Sequence, residues 1–105
     1  MIYNGNMNDT TDFKSEKAFY VNSCGTTHTR GEFSVIREFG RNDYHILYVI
    51  KGNCYIEKGS SIITLEENDI FIYYPHEMQK YSFDSKENIS HWIHFSGYEV
   101  ENLLT

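Results

Sequence analysis

Arg37-Glu-Phe-Gly-Arg-Asn-Asp-Tyr44-His-Ile-Leu-Tyr48-Val-Ile-Lys-Gly52, then Asn68-Asp-Ile-Phe-Ile-Tyr-Tyr-Pro75, then Tyr81, then His91-Trp-Ile-His-Phe-Ser-Gly97 decide how this chain reads. Each run is short, rich in aromatic and β-branched residues, and bounded by glycine, asparagine or proline, as strands closed by tight turns are. An arginine and a tyrosine fall on otherwise apolar faces. A small β-barrel with polar groups turned inward fits that pattern, and such an interior is a place for a ligand.

Working outward, Phe33 to Phe39 alternates, with Phe33, Val35, Arg37 and Phe39 on one face and Ser34, Ile36 and Glu38 on the other. Tyr44 to Ile50 is apolar on both faces apart from His45, as a central buried strand is. Turns at Gly52-Asn53, Lys58-Gly59-Ser60 and Glu66 to Asp69 then separate strands at Cys54 to Glu57, Ile62 to Leu65 and Ile70 to Tyr74. Gln79, Tyr81 and Phe83 share one face of the next strand, and a polar loop from Asp84 to Asn88 leads into Ser90 to Phe95. Upstream, Phe19 to Ser23 is a strand and Gly25 to Gly31 a turn-rich piece. Residues 1–17 are polar and without period, a flexible or loosely docked arm. Tyr98 to Leu104 offers the start of a helix. Seven or eight short strands with turns every eight to twelve residues make the chain all-β.

A chain of 105 residues forms one domain and buries roughly two-thirds of its unfolded surface. Nine tyrosines and seven phenylalanines favour strands. The net charge of −6, with nine dispersed basic residues, argues against nucleic-acid binding by this chain itself. Cys24 and Cys54 have no CxxC or metal-ligand spacing and read as two buried thiols of a reducing compartment. No signal peptide and no run of about 20 apolar residues is present, so the expectation is a soluble, cytoplasmic protein with no membrane partner.

In order and spacing, Arg37, Tyr44 to Gly52, Asp69-Ile-Phe-Ile-Tyr-Tyr-Pro75, Tyr81 and Trp92-Ile-His-Phe-Ser-Gly97 resemble the N-terminal domain of AraC-type transcription regulators, over about residues 19–97. The resemblance implies a cupin-like double-stranded β-helix, a jelly-roll barrel of short antiparallel strands. It implies binding of a small polar effector, often a sugar, and a role in homodimerisation. The family's DNA-binding half and its usual dimer helix have no counterpart in these residues, so a sensory piece of a larger regulator is expected, with DNA reached through a C-terminal domain. The corresponding division is an arm at 1–17, an effector-binding barrel at 18–97, and the start of a linker or helix at 98–105.

Five residues are candidates for ligand binding: Arg37, Gln79, Tyr81, Trp92 and His94. Arg37 sits on an inward face, where a guanidinium needs partners. It serves either as a fork donor for sugar hydroxyls or a carboxylate, or as half of an internal salt bridge, or as a side chain that snorkels to the rim. Gln79 and Tyr81 point inward beside Phe83, to hydrogen-bond a polar ligand or to pack and bond backbone. Trp92, the only tryptophan, either stacks on a sugar ring or fills the core. His94 shares its face. In the family, residues matching Arg37, Tyr81 and Trp92 contact the effector. His45 reads as a satisfied core histidine, and Tyr44, Tyr48, Tyr73 and Tyr74 as packing or rim residues. Glu66-Glu67-Asn68-Asp69 reads as a solvated turn.

Two rival functions remain. A stand-alone metal-dependent cupin enzyme needs an HxH pair, a glutamate and a third histidine in a PxGxxH segment. The sequence has no HxH, and Tyr74-Pro-His76-Glu-Met-Gln79 stands where PxGxxH would. His91 and His94 are three apart, so a strand turns them to opposite faces. No enzyme activity, metal or cofactor is therefore expected. The second rival, a purely structural dimerisation domain, leaves Arg37 on an apolar face unexplained.

Overall fold

The computed structural model describes residues 2–5 and 18–104. Nine strands are described: β1 (Ile2–Gly5), β2 (Tyr20–Arg30), β3 (Phe33–Arg37), β4 (Tyr44–Lys51), β5 (Cys54–Lys58), β6 (Ser61–Leu65), β7 (Ile70–Tyr73), β8 (Gln79–Phe83) and β9 (Glu87–Ser96), with a short helix α1 (Val100–Leu104). They form two antiparallel sheets, β1-β2-β9-β4-β7 and β3-β8-β5-β6. The all-β expectation and the start of a C-terminal helix are both met.

The core lies between the sheets because each strand turns its alternate apolar residues inward. Leu47 and Val49 of β4, Tyr73 of β7 and Trp92 of β9 come from one sheet. Cys54, Ile56, Leu65, Tyr81 and Phe83 come from the other, with Phe33 and Val35 packed against them. Register is fixed by that alternation: Val35 opposes Tyr81 and Phe33 opposes Phe83 across β3–β8, while Leu47 opposes Trp92 and His45 opposes His94 across β4–β9.

Several sequence readings change. The piece from Gly25 to Gly31 is not a turn: β2 runs unbroken through Arg30, because it pairs with β9 on one side and with β1 on the other. Two-sided pairing outweighs the weak strand propensity of Gly25, and the β-branched Thr26 and Thr27 suit a strand. β3 stops at Arg37, where Gly40 N–H closes a turn onto the Arg37 carbonyl, so Phe39 leaves the inward face and is 81% exposed. β9 begins three residues earlier than the loop reading allowed, at Glu87. Cys24 is exposed; only Cys54 is buried. Of the expected N-terminal arm, Ile2–Gly5 pairs with β2, and residues 6–17 lie outside the described residues.

A register shift between Val21 and Ser23 inserts an extra residue opposite β9. This bulge turns both Asn22 and Ser23 inward, at 1% and 0% exposure. Asn22 Nδ2 then donates to Asp43 Oδ2 (2.8 Å) and to Ser96 Oγ (2.9 Å). Asp43 also accepts from Arg41 Nε at 2.7 Å and Nη2 at 3.2 Å, a two-pronged ion pair at one end of the barrel. No described helix is long and apolar enough to cross a membrane.

Candidate functional site

Between the sheets lies a cavity of about 130 Å³. One wall comes from the four-stranded sheet. There the edge strand β3 contributes Phe33, Val35 and Arg37, and β8 contributes Tyr81 and Phe83. The opposite wall carries His45 and Leu47 of β4, Ser90, Trp92 and His94 of β9, and Thr27 of β2. The β3 residues and Thr27 are half-buried and form the rim, whereas the β4, β8 and β9 residues are buried and form the floor.

Arg37 closes β3 opposite Gln79, the first residue of β8. Their side chains meet across the strands, Arg37 Nη1 donating to Gln79 Oε1 at 2.9 Å. His45 Nδ1 reaches the same oxygen from the other sheet at 3.1 Å. Gln79 is thus fully buried and stands behind the wall: it does not line the cavity but holds two residues that do. Arg37 also faces the Tyr81 hydroxyl. Burial raises the Tyr81 pKa, and the guanidinium only partly offsets this, so the phenol stays protonated and able to donate.

His94 Nδ1 lies 2.8 Å from Ser23 Oγ, and its ring leans against Trp92 with centroids 4.8 Å apart. His45 is buried to 1% exposure, and its pKa is pushed well below the usual histidine value, first by desolvation and then by the neighbouring His94. His45 Nε2 and Ser90 Oγ, buried polar atoms of lining residues, have no hydrogen-bond partner among the described residues. Each such atom costs roughly 1–3 kcal/mol unless something in the cavity pairs with it. An apolar filling would have been less costly, so this polar floor fits a binding role better than a packing role.

Of the five sequence candidates, the structure brings Arg37, Tyr81, Trp92 and His94 onto one cavity, with Gln79 just behind it. It adds His45, read from the sequence as a core residue, and Ser90. Their signals were present: His45 is the lone polar side chain of the most apolar strand, and Ser90 shares the face of Trp92 and His94 at the two-residue period of a strand. His91 points outward and meets Thr26, as the three-residue spacing from His94 implied. His45 and His94 face each other, but no group of three or more His, Cys, Asp or Glu side chains gathers as a metal would need among the described residues. Burial pushes the Cys54 thiol up to about 12, far from a reactive thiolate. Glu66 to Asp69 form an exposed turn, Asp69 Oδ2 accepting from the Glu66 N–H.

Among curated proteins, none matches the sequence. Among solved structures, the fold is similar to a cupin-2 domain protein from Shewanella frigidimarina, at 18% identity and a TM-score of 0.55, covering 75% of this chain and 72% of that one. It is also similar to a predicted oxalate decarboxylase from Thermotoga maritima, at 6% identity and 0.61, covering 71% and 66%. A third likeness is to an HTH_3 family transcriptional regulator from Vibrio cholerae, at 6% identity and 0.60, covering 81% of this chain but 47% of that protein. At these identities the likeness is one of fold, and the fold is a cupin-type β-sandwich. The sequence itself matches the AraC-like ligand binding domain over residues 25–105, a span that contains every residue lining the cavity. The chain belongs to the AraC-like ligand binding domain family.

Proposed function

We propose that this chain is the effector-sensing and dimerisation part of a cytoplasmic transcription regulator, non-catalytic in itself, and that the cavity holds a compact hydroxylated effector such as a small sugar or sugar derivative. The observation that carries the reading is the mixed wall. Arg37 stands at the rim, Tyr81 and Trp92 lie deeper, and the buried His45 Nε2 and Ser90 Oγ have no partner among the described residues. Hydroxyl groups would pair with those atoms, and the indole face suits the apolar face of a sugar ring.

Size narrows the class. A cavity of about 130 Å³ is close to the ~150 Å³ that admits a single benzene-sized ring, so one small ring or a short open-chain polyol fits and a disaccharide does not. An effector acts by binding one interface or arm arrangement better than another, and it shifts that equilibrium only by its differential affinity. In this reading residues 18–97 form the sensing barrel and residues 98–105 lead toward a DNA-binding domain. Contact with DNA is assigned to that further domain because the chain itself carries a net charge of −6.

Trp92 is the only tryptophan and stands on the cavity wall, so its fluorescence reports on the site. Titration with small neutral sugars is expected to give a saturable change in emission for at least one of them. Absence of any change across neutral, acidic and phosphorylated sugars would count against the cavity as an effector site.

A further inference from the structure

Gln79 Oε1 lies 2.9 Å from Arg37 Nη1 and 3.1 Å from His45 Nδ1. A guanidinium can only donate, so the Gln79 amide turns its oxygen toward Arg37 and its nitrogen away. That orientation is held even though it leaves Gln79 Nε2 buried with no partner among the described residues. The same oxygen can only accept from His45, which places the ring proton on Nδ1. In a neutral imidazole the other nitrogen then carries a lone pair, and the desolvation of His45 keeps the ring neutral. Nε2 is thus a bare acceptor on a residue that lines the cavity.

We propose that Gln79 is a positioning residue that sets the hydrogen-bond polarity of the cavity: it holds His45 in the Nδ1–H form, so that Nε2 receives a hydroxyl proton from the ligand. The proposal rests on the cavity being the effector site and names what that site selects. An ionised carboxylate offers only lone pairs and would meet the Nε2 lone pair head-on, whereas a hydroxyl supplies the missing proton. Ser90 Oγ, which donates and accepts, tolerates either group, and the Arg37 donors not used by Gln79 serve an oxygen elsewhere on the same molecule. The cavity therefore discriminates at His45, favouring a ligand that places a hydroxyl there over one that offers only carboxylates.

The test is long-range 1H–15N NMR of protein labelled with 15N-histidine, for the wild type, Gln79→Glu and Gln79→Leu, each checked for a dispersed amide spectrum. 1,3-Propanediol and malonate serve as the matched probes, the first offering only hydroxyls and the second only carboxylates. His45 is expected to show a protonated Nδ1 and an unprotonated Nε2 in the wild type and in Gln79→Glu, which retains an acceptor. In Gln79→Leu the proton is expected to redistribute to Nε2. 1,3-Propanediol is expected to shift the Nε2 resonance at least several-fold more than malonate at equal concentration. A wild-type proton on Nε2, or an unchanged tautomer in Gln79→Leu, overturns the role of Gln79 while leaving the effector cavity standing. If Gln79→Leu does not fold, loss of the Nδ1–H form in the folded Gln79→Glu protein overturns it equally. An equal or larger shift with malonate overturns the hydroxyl preference. The expected tautomers, with neither probe moving any resonance of a cavity residue, overturn the hydroxyl role of His45 and count against the effector cavity itself.

Discussion

The His45 imidazole meets the His94 ring edge-on, with centroids 4.5 Å apart and planes at 86°. Two histidines placed this way cannot both be charged without strong repulsion, and the proton affinity of His45 falls, first through burial and then through His94. The unfolded chain binds a proton at His45 below about pH 6.5, while the folded chain does not until well below that. Stability contributed by the neutral ring is therefore present above about pH 6.5 and is lost as the pH falls below it, at up to about 1.4 kcal/mol per pH unit. Urea unfolding at pH 7 and pH 5 should show this loss in the wild type and a smaller one in His45→Gln. The Glu87 carboxylate acts in a separate, more acidic window. The hydrogen bonds from Lys51, His28 and Arg30 hold its pKa near about 2, so its contribution is lost only between about pH 4.5 and that value.

The end of the barrel near Asn22 should be a point of global stability. Asp43 is fully buried and accepts from both Arg41 and Asn22. Asp43→Ala leaves the Arg41 guanidinium, only 10% exposed, without its carboxylate, and is expected to cost about 3–5 kcal/mol. Asp43→Asn, which retains one acceptor, should cost less. Chemical denaturation of both variants measures the order, and equal costs would show that the charge of Asp43 is irrelevant there.

Two turn glycines separate strain from crowding. Gly52 has φ +88°, and a Cβ there would overlap the side-chain oxygen of Asn88. Asn88 is buried and bridges the turns, accepting from the Asn53 N–H and donating to Asp84 and Lys86. Gly59 has φ +63° with nothing within 4 Å of a Cβ. Gly59→Ala is therefore expected to cost about 1–2 kcal/mol of backbone strain alone. Gly52→Ala should cost clearly more. Thermal melts of the two variants check the difference.

Ser90 should show stability and binding moving apart. Its buried hydroxyl has no partner among the described residues, so Ser90→Ala removes an unsatisfied group and is expected to leave stability unchanged or raise it by about 1 kcal/mol. The same substitution removes one polar contact from the cavity and should weaken any ligand response read from Trp92. A large loss of stability would show that the hydroxyl is paired within the fold.

Much of the barrel was legible because alternation is a local signal. Phe33, Val35 and Arg37, and Gln79, Tyr81 and Phe83, were placed inward by period alone, and the register of β3 on β8 then set them face to face. What escaped the sequence depends on partners distant in the chain. β2 continues through Gly25 because neighbours pair with both of its edges. Phe39 left its face because a turn at Gly40 ends the strand two residues earlier. His45 meets its hydrogen-bond partner Gln79 34 residues away. The pair Asn22–Asp43 depends on a bulge that no pattern of apolar residues announces.

A thermal-shift comparison of the wild type with Arg37→Ala, across neutral sugars, sugar acids and sugar phosphates, tests the effector cavity most directly. A ligand held at about 100 times its Kd adds roughly 2.7 kcal/mol, which for a domain of this size is a rise in Tm of about 10–20 °C. The expected result is at least one compound that raises the wild-type Tm to this extent and fails to do so in Arg37→Ala. No rise with any compound, together with an unchanged or higher Tm for Arg37→Ala, would contradict the account and show that Arg37 anchors no ligand.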